Sequence, residues 1–186
     1  KTATAESADL YLPIKPGTDA ALYNGLLNYI AQNNYLAKAF VANHTENFEQ
    51  ALAEVAPWSI QAVADYCQLS AEQVEQFFQL FCKQEKVISF FSMGINQSTS
   101  GVDKCNAIIN AHLATEKLAK AGSGPFSITG QPNAMGGREV GGLANMLAAH
   151  LEIDNPAHRD LVQRYWQSPD ICTKAGAKAT ELFEQI

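Results

Sequence analysis

Arg138 lies in the longest glycine-rich stretch of the chain, residues 122–142 (GSGPFSITGQPNAMGGREVGG). This stretch holds seven of the twelve glycines and has no hydrophobic period. Glycine permits positive φ angles and close backbone approach, and long loops kept inside a domain are often functional. A guanidinium in such a loop presents several fixed donors to an anion. A flexible connector with a surface arginine is the alternative, and the pattern alone leaves both interpretations open.

A second group of polar residues follows the apolar run at 86–93 (KVISFFSM). That run is β-branched and aromatic, which predicts a buried strand. In α/β folds ligands gather at the carboxyl ends of strands, so Met93, Asn96 and Gln97 are site candidates. Gln97 offers a donor and an acceptor together. Met93 is the weaker candidate, since methionine often fills a gap in a core.

The third candidate is the turn formed by Gly17, Thr18 and Asp19, which precedes a helical pattern. The N–H groups at such a turn can bind an anion, and the carboxylate can accept from a ligand's donors. Thr18 and Asp19 are also good N-cap residues. On spacing alone, a plain helix cap is the simpler interpretation.

These candidates are positioned by a helix-rich chain. Strands are predicted at 9–14 and 86–93. Helices are predicted at 20–32, at 35–43, in two pieces within 46–66 broken at Pro57, from Ser70 onward, and at 102–118, 142–151, 156–166 and 174–186. A few strands among many helices indicate an α/β fold. We expect a helix-rich layered arrangement with a small, mainly parallel sheet that belongs to a larger protein.

Composition narrows the range of functions. The chain has 186 residues, is 47% hydrophobic and 17% charged, and carries a net charge of -6. These values indicate a globular protein and argue against nucleic acid as a partner. No apolar run approaches the roughly 20 residues that span a bilayer, and no basic-then-apolar start marks a signal peptide. We therefore expect a cytoplasmic protein without a membrane partner.

The four cysteines, Cys67, Cys82, Cys105 and Cys172, are widely spaced, and the four histidines are equally scattered. Three of the cysteines fall in predicted helices, which favours reduced core thiols over a disulfide frame. No His/Cys cluster has metal-ligand spacing. The sequence therefore predicts no metal ligand within the chain.

Four motifs resemble the molybdopterin oxidoreductases, and among them the nitrate reductases of assimilatory type. They are LPIKPGTDAALYNGLL at 12–27, FSMGINQSTSG at 91–101, the glycine-rich stretch at 122–142, and NPAHRDLVQRYW at 155–166. Together they span most of the chain. The stretch at 122–142 is the most specific, whereas the PGTD turn is specific only in the company of the others.

The resemblance implies a molybdenum bis(molybdopterin guanine dinucleotide) cofactor. By position, Gly17, Thr18 and Asp19 would contact the dinucleotide, with the Asp19 carboxylate accepting from guanine donors. Met93 and Gln97 would line the pterin and molybdenum side.

The same resemblance places Arg138 near the metal, where it would attract nitrate, with Gln131 as a neighbouring catalytic candidate. It also implies an iron–sulfur cluster, an electron donor protein or subunit, and the rest of a longer enzyme chain as partners.

The departures from the family pattern matter as well. The cluster-binding cysteines and the molybdenum-ligating cysteine of the resembled enzymes have no counterpart here, and Lys1 is not an initiator methionine. We therefore expect residues 1–186 to form a single central cofactor-binding region, an excised fragment of a longer chain. Alone, it should not reduce nitrate.

Two other interpretations stay open at this point. The fragment could come from a periplasmic nitrate reductase or a formate dehydrogenase, because a glycine-rich loop with an arginine suits either. It could also be a free-standing nucleotide-binding or interaction module without a redox role, which would require the glycine-rich loop to be merely flexible.

Overall fold

The structure is a computed structural model that describes residues 1–118, 120–128, 130 and 132–186. It divides into two compact units, Lys1–Ile128 and Thr129–Ile186, which are described separately below. No helix in the described residues is both long enough and apolar enough to span a bilayer.

Helices dominate the described residues. The α-helices are α1 Ala3–Glu6, α2 Asp19–Gln32, α3 Lys38–His44, α4 Phe48–Val55, α5 Ile60–Cys67, α6 Ala71–Lys83, α7 Met93–Asn96, α8 Gly101–Ala114, α9 Ala134–Glu139, α10 Pro156–Trp166 and α11 Ala179–Glu184; the strands are β1 Ile88–Phe91 and β2 Gly124–Ser127. A 3₁₀ turn covers Ala148–His150.

The core of the first unit lies where α2 packs against α5, α6 and α8. Apolar residues at helical spacing on these elements are almost fully buried: Leu26, Leu27, Ile30, Val63, Val74, Phe78 and Ala111. Ser70 and Gln73 form the predicted start of α6 as a capping box, each side chain bonding the other's backbone N–H.

The sheet consists of β1 and β2, which pair in parallel with Phe90 opposite Phe126. A small parallel sheet in a helix-rich fold matches the sequence prediction. The expected burial of β1 is wrong, because only one face is covered. Ser89 points inward, whereas Phe90 and Phe126 are 62% and 56% exposed. The centroids of their two rings are 5.5 Å apart.

The inward face of β1 is fixed by a buried hydrogen-bond chain. The carbonyl oxygen of Lys117 can only accept, so His112 Nδ1 donates to it at 3.1 Å. His112 Nε2 is then the acceptor for the Ser89 hydroxyl at 2.8 Å, and the Tyr23 hydroxyl donates to Ser89 Oγ at 3.2 Å. This chain joins α2, β1 and α8 and fixes the neutral tautomer of His112.

The end of α6 is held by a buried ammonium. Lys117 Nζ donates to the carbonyl oxygens of Phe81 at 2.5 Å and Cys82 at 3.3 Å, so a cation meets the negative end of the helix.

Burial raises the pKa of the Cys82 thiol to about 11, although the Lys117 charge opposes this rise. None of the four cysteines is paired, and Cys67 and Cys82 pack in or against the core of the first unit.

Residues 9–14 are not a strand, contrary to the prediction. The N–H of Ile14 bonds to the carbonyl of Leu12 at 2.9 Å, which forms a tight turn centred on Pro13. Proline cannot donate to a ladder, so this apolar stretch packs its Leu12 and Ile14 side chains on the helical core instead.

Two predicted helices are shorter in the structure. The helix expected at 102–118 is α8, which ends at Ala114. The left-handed backbone of Glu116 and the bond from Lys117 N–H to the His112 carbonyl at 2.8 Å close it. The helix expected at 174–186 is reduced to α11.

The glycine-rich stretch is more regular than predicted, since it contains β2 and α9. The helix expected at 142–151 is wrong: only the 3₁₀ turn forms there, and Ala149 inside it is left-handed. In the second unit, Leu147, Ile153 and Val162 form a small core under α10. The helix α10 begins as predicted at Pro156, with Asn155 as its N-cap.

Candidate functional site

The turn before α2 is built around Gly17 and Thr18. Gly17 has a φ angle of +86°, and a Cβ at this position would meet no atom within 4 Å. Thr18 is 4% exposed, and its hydroxyl donates to the carbonyl oxygen of Lys15 at 2.7 Å. The hydroxyl closes the turn and makes no capping bond to α2. The plain-cap interpretation is wrong in this respect, because the Thr18 side chain leaves the first-turn N–H groups uncapped.

The end of α5 holds this turn in place through Cys67. The N–H of Lys15 bonds to the carbonyl oxygen of Cys67 at 2.9 Å, and the Cys67 thiol contacts the carbonyl oxygen of Thr18 at 3.7 Å. Burial raises the pKa of Cys67, so the thiol stays protonated and donates. The turn is therefore a fixed feature of the first unit, and it places Asp19, half-buried, at the start of α2.

The strand end presents Met93 and Gln97 outward. Ile95 is buried, and Asn96 Nδ2 donates to Ser127 Oγ at 2.8 Å, so α7 is anchored to the end of β2. Met93 is 54% exposed and Gln97 is also exposed. The core-filling alternative for Met93 is therefore wrong. The carboxyl edge of the parallel pair carries an exposed thioether beside an exposed amide.

One buried polar atom at this edge has no hydrogen-bond partner among the described residues. The Oδ1 atom of Asn96 is buried and accepts no hydrogen bond in the structure, whereas Nδ2 is paired. A buried acceptor without a donor is costly, and native proteins usually complete such a group. The strand end thus has an acceptor that suits a donor from outside the described residues.

A hydrogen bond links α2, which follows the turn, to β1, which leads to the strand end. Tyr23 lies one helical turn after Asp19, and Ser89 lies four residues before Met93. The bond between the Tyr23 hydroxyl and Ser89 Oγ therefore fixes both segments relative to each other. Burial raises the pKa of Tyr23, and the charge of the Asp19 carboxylate adds to that rise, although the hydrogen bond to Ser89 opposes it.

Arg138 lies in the second unit, on the last turn of α9, and its side chain is exposed. Gln131 lies outside the described residues. The five predicted cofactor residues are in the first unit and the arginine is in the second. The structure brings Gly17, Thr18 and Asp19 together in one turn, and it places Met93 at the start of α7 and Gln97 as the C-cap of the same short helix.

Within the described part of the chain, no three His, Cys, Asp or Glu side chains form a group that could hold a metal ion. The expectation that this chain supplies no metal ligand stays a prediction.

Sequence reasoning missed the contacts that hold the candidates in place. The link between Asn96 and Ser127 joins residues 31 positions apart. The bond between His150 Nε2 and Glu139 Oε1, at 2.6 Å, joins α9 to the 3₁₀ turn. A short apolar alternation at PFSI offered a signal for β2, but the surrounding glycines obscured it.

Comparison with known protein families identifies the family of this chain. The family model described as molybdopterin oxidoreductase matches residues 1–185, which is nearly the whole chain. The chain belongs to the molybdopterin oxidoreductase family. Membership of this family implies a molybdenum–pterin cofactor.

Similar proteins carry the name nitrate reductase. The chain is 45% identical over 186 residues to the one from Klebsiella oxytoca and 44% identical over 187 residues to the one from Shewanella frigidimarina, in both cases over 100% of this chain. It is 44% identical over 184 residues, 98% of this chain, to the nitrate reductase of Synechocystis. The chain spans 21%, 20% and 26% of these three relatives, respectively.

A solved structure supports the fold. Acetylene hydratase from Pelobacter acetylenicus superposes with a TM-score of 0.61 over 66% of this chain and 17% of that protein, at 24% sequence identity. At this identity the likeness concerns the fold alone.

Proposed function

We propose that residues 1–186 are the central cofactor-binding region of a molybdenum-dependent nitrate reductase, which converts nitrate to nitrite. The observation that carries this proposal is the identity of 44–45%, over 98–100% of the chain, to three proteins named nitrate reductase. These names favour nitrate over formate as the substrate. The short span relative to these proteins supports a longer parent chain, of which this region would be one part.

The first unit fits the proposed cofactor, molybdenum bis(molybdopterin guanine dinucleotide). Gly17 leaves open space where a side chain would otherwise stand, so another molecule can approach the backbone closely. The N–H groups of the first turn of α2 receive no bond from the Thr18 side chain and suit a phosphate or another acceptor. The half-buried Asp19 carboxylate only accepts, which matches the N–H donors of a guanine edge.

The strand end fits the pterin side of the same cofactor. Met93 on α7 and Gln97 directly after it are exposed, and the amide of Gln97 can both donate to and accept from a heterocycle. The buried Oδ1 of Asn96 adds an acceptor that lacks a donor in the structure. When bound, the molybdenum centre supplies the two-electron chemistry that takes an oxygen atom from nitrate, with electrons from an iron–sulfur cluster in the upstream part of the parent.

In this proposal, Arg138 binds the nitrate substrate. Nitrate is a planar monoanion with three oxygens, and a guanidinium presents fixed, coplanar donors to such oxygens. Its exposed position on α9 leaves it accessible. Gln131 is proposed as a neighbouring donor.

The remaining parts of the proposal concern the parent enzyme. The fragment alone is inactive, because it carries neither the molybdenum ligand nor the electron relay. The parent receives electrons from a donor protein or subunit, works in the cytoplasm, and binds neither nucleic acid nor membrane.

The test is substrate-dependent electron transfer by the complete, molybdenum-loaded parent protein. We expect nitrate to oxidise reduced viologen dye in its presence, with nitrite as the product. Formate with oxidised dye is the comparison. Turnover of formate and not of nitrate would reject the substrate while keeping the family. Inactivity with both substrates at full molybdenum content would reject the proposed function.

A further inference from the structure

Glu139 follows Arg138 directly, yet its carboxylate contacts a different side chain, that of His150. Oε1 of Glu139 lies 2.6 Å from Nε2 of His150, which donates to it. Residues adjacent in a helix point about 100° apart, so Glu139 and Arg138 leave α9 on different sides. Among the described residues, the side-chain partner of the Glu139 carboxylate is His150.

His150 reaches Glu139 through an unusual backbone. Ala149 and His150 both have left-handed φ angles, 54° and 57°, in two consecutive residues that are not glycine. Each such residue costs about 1 kcal/mol or more and persists only where the surroundings impose it. Strain of this kind is typical of functional segments.

Two glycines allow close backbone packing between the end of α9 and this turn. A Cβ on Gly141 would lie 2.7 Å from the backbone nitrogen of Ala148, and a Cβ on Gly142 would lie 2.7 Å from the carbonyl oxygen of Gly137. The chain leaving α9 is therefore pressed directly against the 3₁₀ turn. The N–H of Gly141 also bonds to the carbonyl oxygen of Arg138 at 3.0 Å. The turn that carries His150 and the end of α9 that carries Arg138 are thus one packed element.

We propose that His150 is a positioning residue that holds the Glu139 carboxylate away from Arg138, so that the guanidinium keeps its positive potential for a small oxyanion. The two side chains leave the helix in different directions, but both are long and exposed, so without His150 the Glu139 carboxylate is free to rotate toward the guanidinium and compete with the anion. This inference rests on the proposed function in naming nitrate as that anion.

The test is a cycle of variants in the complete, molybdenum-loaded parent. His150→Ala is expected to raise the KM for nitrate roughly three- to fivefold with kcat unchanged, the size of one exposed charge interaction. In the double variant His150→Ala/Glu139→Gln the KM should return to the value of Glu139→Gln alone. His158→Ala removes the other His–Glu pair of this unit, which has a 3.9 Å separation, and serves as the matched control.

A second readout does not depend on turnover. Modification of Arg138 by phenylglyoxal, located by peptide mass mapping, should slow in His150→Ala, because a nearby carboxylate stabilises the protonated guanidinium. The rate should recover in the double variant. Nitrate should protect Arg138 in the unmodified parent, and half-protection should need more nitrate in His150→Ala.

The outcomes separate the possible failures. If the double variant is as impaired as His150→Ala, then His150 only supports the turn and the inference is overturned. An unchanged KM and an unchanged modification rate in His150→Ala would overturn it as well. If the parent neither reduces nitrate nor shows protection by it, the proposed function fails, while the modification rates still decide whether His150 restrains Glu139.

Discussion

Asp19 and Asp103 occupy comparable places, each in the first turn of a helix of 14 residues. Both carboxylates favour their helix through its dipole. Only Asp19 follows the Gly17 turn, where the backbone is open. If Asp19 binds the guanine end of the cofactor, its charge has a role that Asp103 does not share.

Asp19→Asn in the parent should therefore weaken cofactor retention. Loss of a charge-assisted hydrogen bond costs about 1.5–3 kcal/mol, or roughly a tenfold to hundredfold faster loss of cofactor. Molybdenum and pterin per polypeptide, followed over time after gel filtration, measure this.

Asp103→Asn is the control and should retain the cofactor like the unmodified parent. Equal retention by both variants would show that Asp19 acts only as a helix-start residue.

At the residue level, the sequence indicated which side chains to consider but not what holds them. Met93 is exposed because α7 turns Ile95 toward the core instead. A helix of four residues is too short for its sequence pattern to predict which side chain is buried. The turn at Thr18 looked like a cap because threonine is a capping type, and its hydroxyl in fact bonds backward to Lys15. Local propensity does not distinguish these two bonds.

The hydrogen-bond chain beneath β1 is the element on which the strand end depends. It joins Tyr23, Ser89 and His112 and requires a neutral imidazole that accepts at Nε2. Burial lowers the pKa of His112, and the Lys117 charge lowers it further, although the hydrogen bond to the Lys117 carbonyl opposes both. Protonation would turn Nε2 into a donor and change its bond to Ser89.

Because the folded-state pKa of His112 lies below its value in the unfolded chain, the unfolded state binds more protons between the two values. The stability associated with His112 is therefore present above about pH 6.5 and is lost as the pH falls from there toward the lowered pKa. We expect the protection factors of the amides in β1 and α8 of the parent, which correct for the slower intrinsic exchange at low pH, to be smaller at about pH 5.5 than at pH 7.5.

In His112→Gln, which does not titrate, this additional pH dependence should be absent. If the variant shows the same loss of protection at the lower pH, another group is responsible for it.

At the element level, helices with strong periodicity were predictable, as α2, α6 and α10 show. The strand prediction for 9–14 was wrong because this apolar run packs on the core without pairing with another strand. The helix prediction for 142–151 was wrong because Gly141 packs closely against Ala148, and Ala149 and His150 adopt left-handed backbone angles. β2 was missed because its pairing partner lies 36 residues earlier along the chain. Pairing over that distance leaves almost no local trace.

For the whole molecule, the outer face of the sheet is notable. Phe90 and Phe126, with Ile88 and Ile128 alongside, form an exposed apolar face. Parallel sheets are normally covered on both faces. In the longer parent that the relatives indicate, this face should be covered.

A cysteine in place of Phe126 in the parent should therefore react with maleimide at least roughly tenfold more slowly than one in place of Glu72, an exposed residue in the first turn of α6. Peptide mass mapping separates these sites from the native cysteines. Equal rates at the two positions would show that the sheet face stays open in the parent.

The overall class was accessible from the sequence, since the four motifs and the layered helix-rich pattern both agree with the family that the chain matches. Its two compact units were not, because a division of this kind depends on long-range packing rather than on composition. Residue-level motifs thus predicted the family more reliably than they predicted the path of the chain.

The most direct test of the account is nitrate-dependent oxidation of reduced viologen by the complete parent, compared between Arg138→Ala and Arg164→Ala. Both arginines are exposed residues of the second unit. With equal molybdenum content, we expect kcat/KM for nitrate to fall roughly tenfold to a hundredfold in Arg138→Ala, the value of a charge-assisted hydrogen bond, and to stay unchanged in Arg164→Ala. Full activity of Arg138→Ala toward nitrate would contradict the account.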